Sequence, residues 1–243
     1  MCPGLSRGMI SVSGNSKGRP QVAAGMTIDG VKTIGLIGAG HIGSQIARAA
    51  IATGYDVVIS NSRGPETLTE LVSELGQQAR AGTTEDTATA GDLVVVAVPL
   101  KAIGDVPAEP LIGKTVIDAN NYYPRRDGNI AALDDDSLTS SELLQSRVPG
   151  ANVVKAFNHI YARQITSDGA PPRAPNRRAL AIAGDDSAAK TQVAELIDEF
   201  GFDVVDVGPL AESWRIQPGT PGYVEQLNAE ELTAALAAAK RSN

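Results

Sequence analysis

An α/β fold built on a mostly parallel sheet with helices on both faces follows from three observations. From Thr33 onward, apolar runs of strand length alternate with segments of helical period, which is the pattern of a parallel sheet covered on both sides. One of those runs, LVVVAVP at 93–99, is apolar throughout, as a strand buried on both faces must be. The first strand leads directly into a glycine turn and a helix, IGLIGAGHIGSQIARAA, the unit that cradles a dinucleotide pyrophosphate. Together they predict a Rossmann-type doubly wound sheet, mostly parallel, with six strands in the dinucleotide unit and a small αβ lobe at the C-terminal end.

Each element has its own signal. TIGLIG (33–38) reads as a buried strand, and Ile42, Ile46, Ala49 and Ala50 then recur at helical spacing. YDVVISN (55–61) is the second strand. Pro65 opens a helix whose Leu68, Leu71, Val72 and Leu75 share a face and which Gly76 stops. A weak strand at 77–81 precedes a short helix capped by Thr83, with Asp86 three residues on. TVIDANN (115–121) is the fifth strand, a helix over 139–147 starts with the Thr139–Glu142 capping box, and NVVKAFN (152–158) is the sixth strand. The polar, Pro-rich stretch 159–178 carries no period and reads as a long loop of functional character. ALAIAG (179–184) and FDVVDVG (202–208) flank a helix with Val193, Leu196, Ile197 and Phe200 on its core face; the final helix has Asn228 as N-cap and Glu231 three residues later.

Composition removes several classes of function. A chain of 243 residues with 42% hydrophobic content can bury one large core, or one core with a small lobe. No apolar run reaches the ~18–20 residues of a membrane span, so no membrane role is expected. The net charge of −7 offers no basic face for nucleic acid. A single Cys and two His leave no basis for a disulfide or a metal site. A cytoplasmic setting is expected. Residues 1–30, rich in Gly and Ser and without apolar period, read as a disordered tail, with Met9 and Met26 as alternative starts.

The glycine loop Gly38-Ala39-Gly40-His41-Ile42-Gly43 meets the full context requirement of a dinucleotide site. Gly38 permits the tight turn, Gly40 lets the pyrophosphate approach the backbone, and Gly43 lets helix and strand pack closely. The helix N-terminus offers free N–H groups to phosphate, and His41 and Ile42 contact the cofactor beside it. In the NAD version of this unit a carboxylate at the tip of the second strand binds the adenosine ribose. Here the tip reads Asn61-Ser62-Arg63. Asn61 does not repel a 2′-phosphate, Ser62 adds a hydroxyl, and Arg63 can grip the phosphate with a charge-assisted fork. The cofactor expected is NADP(H).

GAGHIGSQIA, the NSR tip, AVP at the fourth strand end, VVKAFN and the late AGDD–VVDVGPL run resemble the NADP-dependent oxidoreductases of coenzyme F420 over residues 33–215. The VVKAFN…AGDD…DVGPL series is the more specific part. The resemblance implies hydride exchange between NADP(H) and a flat deazaflavin acceptor, chemistry that rests on ring placement. It implies Val98 and Pro99 beside the nicotinamide ribose, and Asn158, His159 and Ala162 around the nicotinamide and acceptor. It also implies Gly208-Pro209-Leu210 in the acceptor cleft. Two departures stand out: DANNYYP (118–124) replaces a more apolar segment, and Glu66 and Thr67 stand where the family often adds a basic residue.

The domains then read as a tail (1–30), an NADP-binding Rossmann domain (31–158) and a small acceptor-binding lobe (159–243). His159, just past a strand's carboxyl end, reads either as a proton donor to the reduced acceptor or as a histidine that bonds loop backbone. Asn120, with Asn121 and Tyr122, reads either as a hydrogen-bonding group for nicotinamide or acceptor or as a strand-end cap. Asp134-Asp135-Asp136 reads as a solvated run and Trp214 as a packing or dimer-contact residue. Two other functions fit the same residues: an NADPH-dependent reductase of a small carbonyl or imine, and an NADPH-binding sensor without turnover. A small-molecule acceptor is the expected partner, and a homodimer is the assembly expected of a reductase this small.

Overall fold

The computed structural model describes Met1 and residues 28–241. Residues 2–27 of the expected tail lie outside the described residues. Ile28, assigned to that tail, is buried in the core, and its N–H donates to the Tyr55 hydroxyl.

Eight strands form one sheet. They are β1 (Thr33–Ile37), β2 (Asp56–Ser60), β3 (Ala79–Ala81), β4 (Leu93–Val96), β5 (Thr115–Asp118), β6 (Asn152–Lys155), β7 (Ala179–Gly184) and β8 (Asp203–Asp206). Their order is β3-β2-β1-β4-β5-β6-β7-β8. Every pairing is parallel except β6–β7, which is antiparallel and only two residue pairs long, Val154↔Gly184 and Lys155↔Ala183. The expected mostly parallel, doubly wound sheet is present.

The helices are α1 (His41–Thr53), α2 (Thr69–Leu75), α3 (Thr84–Ala90), α4 (Pro124–Asp127), α5 (Ala131–Asp134), α6 (Ser140–Arg147), α7 (Gln164–Ser167), α8 (Ser187–Glu199) and α9 (Ala229–Ala238). Capping boxes start three of them, at Thr83–Asp86, Thr139–Glu142 and Asn228–Glu231, each satisfying two otherwise orphan N–H groups. The stretch 159–178 is less irregular than its sequence suggests, because it contains the single-turn α7, and Thr166 there donates to Gln45 of α1. One apolar cluster, centred on Leu36, Ile46, Ile59, Val95, Val193 and Leu196, packs α1 and α8 on one face of the sheet. A second, around Val94, Val96, Val116, Leu111 and Leu144, packs the other face. Alternate residues of β4 enter both clusters, which explains why LVVVAVP is apolar without a break.

Candidate active site

The carboxyl ends of β1, β2, β4, β5 and β6 converge on one edge of the sheet, where an open parallel sheet binds ligands. After β1 the chain turns at Gly38, with φ at +112° and no room for a Cβ, which would lie 2.3 Å from the Ala97 carbonyl oxygen. At Gly43 a Cβ would lie 1.9 Å from the Gly38 carbonyl oxygen, so helix and turn touch there. Gly40 differs: a Cβ on it would meet no protein atom within 4 Å. Packing does not demand glycine at that position, and its bare backbone faces a cavity. Helix α1 starts there without a side-chain cap and without an acidic residue in its first turn, so its N-terminal N–H groups are left for an anion.

That cavity, of about 610 Å³, runs from Gly38–Gly40 to the β2 tip, where Asn61, Ser62 and Arg63 line it with Thr83 and Thr84. Asn61 organises the tip. Its Oδ1 accepts the Arg63 N–H (2.9 Å) and its Nδ2 donates to Thr67 Oγ1 (2.8 Å), an Asx turn that fixes the loop. Thr67, one of the two departures from the family's basic residue, is thus a strut of this turn. The Arg63 guanidinium and the Ser62 hydroxyl have no hydrogen-bond or ion-pair partner among the described residues, and both are exposed.

A second cavity, of about 620 Å³, continues from the first through the shared residues Gly40, Ala97, Val98 and Pro99. Asn120, Asn158 and Ala162 line it, with His41 and Ile42 on the α1 side. Its outer wall is aromatic: Tyr123, Tyr161 and Tyr223, with Arg126 and Val224. Among the described residues, Arg126 is the only Lys or Arg lining it, and its charge is taken up. The guanidinium forks onto Asp127 (2.9 and 2.8 Å), donates to the Asn121 carbonyl (2.7 Å) and stacks over the Tyr123 ring.

Asn120 is held from below by a buried ion pair. Lys155 Nζ lies 3.0 Å from Asp118 Oδ2, and the two side chains are 1% and 0% exposed. Lys155 also donates to the Asn120 carbonyl and to Ser140 Oγ, while Asp118 accepts from the Asn120 N–H and from Ser141 Oγ. Above this network Asn120 Oδ1 accepts the Val98 N–H at 2.8 Å. Its Nδ2 is buried without a partner, a donor with a desolvation cost that a ligand would relieve. Its oxygen thus caps the β4 end, and its amide N–H is left over.

His159 is corrected. It lines neither cavity and is 2% exposed. Its Nε2 accepts the Ala181 N–H at 3.0 Å, so the ring proton sits on Nδ1, 3.2 Å from Asn158 Oδ1. Burial, then the charges of Arg178 and Lys155, push its pKa down to about 3. A neutral imidazole with both nitrogens engaged has no proton for an acceptor. The reason is local: Phe157 adopts φ of +59°, a left-handed turn that breaks the strand direction before His159 and sends its ring inward. Asn158 also works inward, donating to Ile216 O and Asn121 Oδ1.

Gly208-Pro209-Leu210 is corrected as well. It lines neither cavity; Leu210 is buried in the second cluster and its N–H donates to Asp185. The C-terminal wall comes instead from Tyr223 and Val224, in a Pro- and Gly-rich loop with no sequence period to announce it. Asp134 accepts from the Tyr122 hydroxyl and Trp214 stacks under Arg215 and Arg241. Among the described residues there is no His, Cys, Asp and Glu grouping suited to a metal ion, and no helix long and apolar enough to cross a membrane.

Residues 33–122 match the family model of NADP oxidoreductases, coenzyme F420-dependent. The hypothetical protein SMa0349 of Sinorhizobium meliloti is 35% identical in sequence, with a TM-score of 0.70 over 82% of this chain and 95% of that one. A candidate F420-dependent NADP reductase from Arthrobacter sp. FB24 is 26% identical, with a TM-score of 0.64 over 76% of this chain and 88% of that one. The curated protein YjhV of Escherichia coli (strain K12) is 41% identical over 71 residues, 29% of this chain; the match spans about half of that relative, 52% of its length. Solved dehydrogenases and reductases at 11–19% identity share the fold.

Proposed function

Since the chain belongs to the family of NADP oxidoreductases dependent on coenzyme F420, we propose that it moves a hydride between NADP(H) and a flat deazaflavin acceptor of the F420 type. The observation that carries the reading is the continuity of the two cavities through Gly40, Ala97, Val98 and Pro99. One end carries an unpaired guanidinium and the other an aromatic wall, so an extended, phosphate-bearing ligand can lie along the strand ends and meet a planar partner.

In this reading the bare Gly40 backbone and the α1 N-terminus take the pyrophosphate. Ser62 and Arg63 take the 2′-phosphate, with the Asx turn of Asn61 holding them in place. Val98 and Pro99 flank the nicotinamide ribose, and the Asn120 Nδ2 donor orients the ring. When bound, NADPH supplies a hydride, and the residues around it position two rings and exclude water. The same cleft disfavours small anionic substrates. A hydroxy or keto acid needs a cation for its carboxylate, and Arg126 is already neutralised by Asp127.

Anaerobic oxidation of NADPH by the purified chain, with and without coenzyme F420, tests the proposal. The expected result is rapid oxidation only with F420, and much weaker use of NADH. Oxidation that proceeds equally with a small ketone or cyclic imine and not with F420 would replace the acceptor, and binding without any oxidation would leave a sensor.

A further inference from the structure

Two phenol hydroxyls meet at the mouth of the second cavity. The Oη atoms of Tyr123 and Tyr223 lie 2.6 Å apart, short for a bond between neutral hydroxyls. Tyr223 Oη also lies 3.4 Å from the Asn121 Nδ2 donor. Tyr123 is 38% exposed and reaches solvent, whereas Tyr223 is half-buried and lines the same cavity as Asn120, Val98 and Pro99. Burial, and then Tyr123, raise the Tyr223 pKa, so its hydroxyl stays protonated.

The position of Tyr223 is fixed by its neighbours. Its N–H donates to Thr220 O, and the next N–H, of Val224, donates to His159 O. Val224 holds a left-handed φ of +57°, which a β-branched residue adopts only when its surroundings enforce it. With Tyr123 as donor, Tyr223 Oη accepts from both Tyr123 and Asn121, and its own proton is left to face the cavity.

We propose that Tyr223 donates the proton that accompanies hydride transfer, with Tyr123 relaying its replacement from water. The inference rests on the hydride-transfer reading above. It specifies an acceptor whose hydride-accepting atom is conjugated to a ring nitrogen or carbonyl oxygen. As the hydride's two electrons reduce the acceptor and oxidise NADPH, the π pair settles on that heteroatom. Tyr223 Oη gives up its proton there, Tyr123 passes its own to Tyr223, and water reprotonates Tyr123. In the reverse direction the same chain carries the proton out.

The test uses the full chain and its Tyr223→Phe and Tyr123→Phe variants, with coenzyme F420, FMN, menadione and 1-pyrroline as acceptors. The wild type is expected to reduce F420, with a single-turnover rate that falls ~10²–10⁴-fold in Tyr223→Phe and about tenfold in Tyr123→Phe. NADPH affinity should stay unchanged in both variants. Affinity for oxidised F420 without NADPH, read by calorimetry, should fall about three- to tenfold in Tyr223→Phe as one hydrogen bond is lost. A solvent deuterium isotope effect on wild-type hydride transfer should vanish in that variant. Wild-type turnover of F420 with undiminished rate and affinity in Tyr223→Phe overturns the proton-donor role alone. Turnover of FMN, menadione or 1-pyrroline instead, lost in Tyr223→Phe, sustains the role and overturns the F420 reading. No turnover of any of the four overturns both.

Discussion

Acid should unfold this protein through His159, and the size of the effect can be worked out. In the unfolded chain the imidazole titrates near its ordinary value of 6.5; in the fold it is held down to about 3. A histidine depressed on folding contributes stability that is fully present above pH 6.5 and is lost as the pH falls toward 3, because the unfolded state takes up the proton first. Linkage over that window gives a loss of about 2 kcal/mol between about pH 7.5 and pH 5, and roughly 4 kcal/mol by pH 3. The geometry gives the same sign, since a proton on Nε2 would face the Ala181 N–H that now donates to it. His159→Gln removes the titration. It should lower stability at neutral pH by about 1–3 kcal/mol through lost packing and a disturbed hydrogen bond. Its further loss on going to about pH 5 should then be smaller than the wild type's by about 2 kcal/mol. Urea unfolding of both proteins at the two pH values, followed by circular dichroism, measures this difference. Parallel losses in the two proteins would refute the buried, neutral histidine.

Four other outcomes follow from the site. Arg63→Ala should weaken NADPH binding about tenfold or more and leave NADH binding nearly unchanged, as read by titration calorimetry. Gly40→Ala should change the thermal midpoint little, because its Cβ meets nothing within 4 Å, yet reduce NADPH affinity by about tenfold or more by crowding the phosphates. Gly43→Ala should instead lower stability outright, with its Cβ 1.9 Å from the Gly38 carbonyl, and the contrast between these two glycines checks which of them faces ligand. Lys155→Met should cost about 3–5 kcal/mol in urea unfolding, since Asp118 is left as an unpaired buried charge, and adding Asp118→Asn should recover part of that loss.

The fold was legible because its signals are local and periodic. Most strands read as apolar runs, three helices are marked by a Thr or Asn three residues before a carboxylate, and the glycine loop is marked by the strand and helix on either side. The cavity at Gly40 and the tip at Arg63 were legible for the same reason, being set within a few residues of strand ends. The second cavity was not. Placing His159 at a strand end assumes that the chain leaves the sheet in the strand's direction, and the left-handed Phe157 breaks that assumption. Tyr223 sits about a hundred residues from Tyr123 in sequence, and only the long-range contact of Val224 with His159 sets it beside the cleft. Tyr123 lies within the DANNYYP stretch that departs from the family, and Arg126 lies just beyond it, but nothing in that stretch tells an outward-facing tyrosine from a cavity wall.

The β6–β7 junction joins the two ends of the sheet through just two residue pairs. A backbone ladder tolerates almost any side chain, whereas this joint is closed beyond its short ladder by side chains: the His159 ring takes the Ala181 N–H, and the Asn158 amide reaches the Ile216 carbonyl. Beside the apolar packing of α8 across the joint, part of the cohesion of the sheet is thus written into two consecutive side chains, and that part is open to mutation in a way that main-chain pairing is not. Asn158 also lines the second cavity, and His159 is buried next to it. Substitutions chosen to reshape the cleft would therefore act on the bond between the two halves of the molecule, and tolerance to change there should be much lower than at the exposed Arg63 tip.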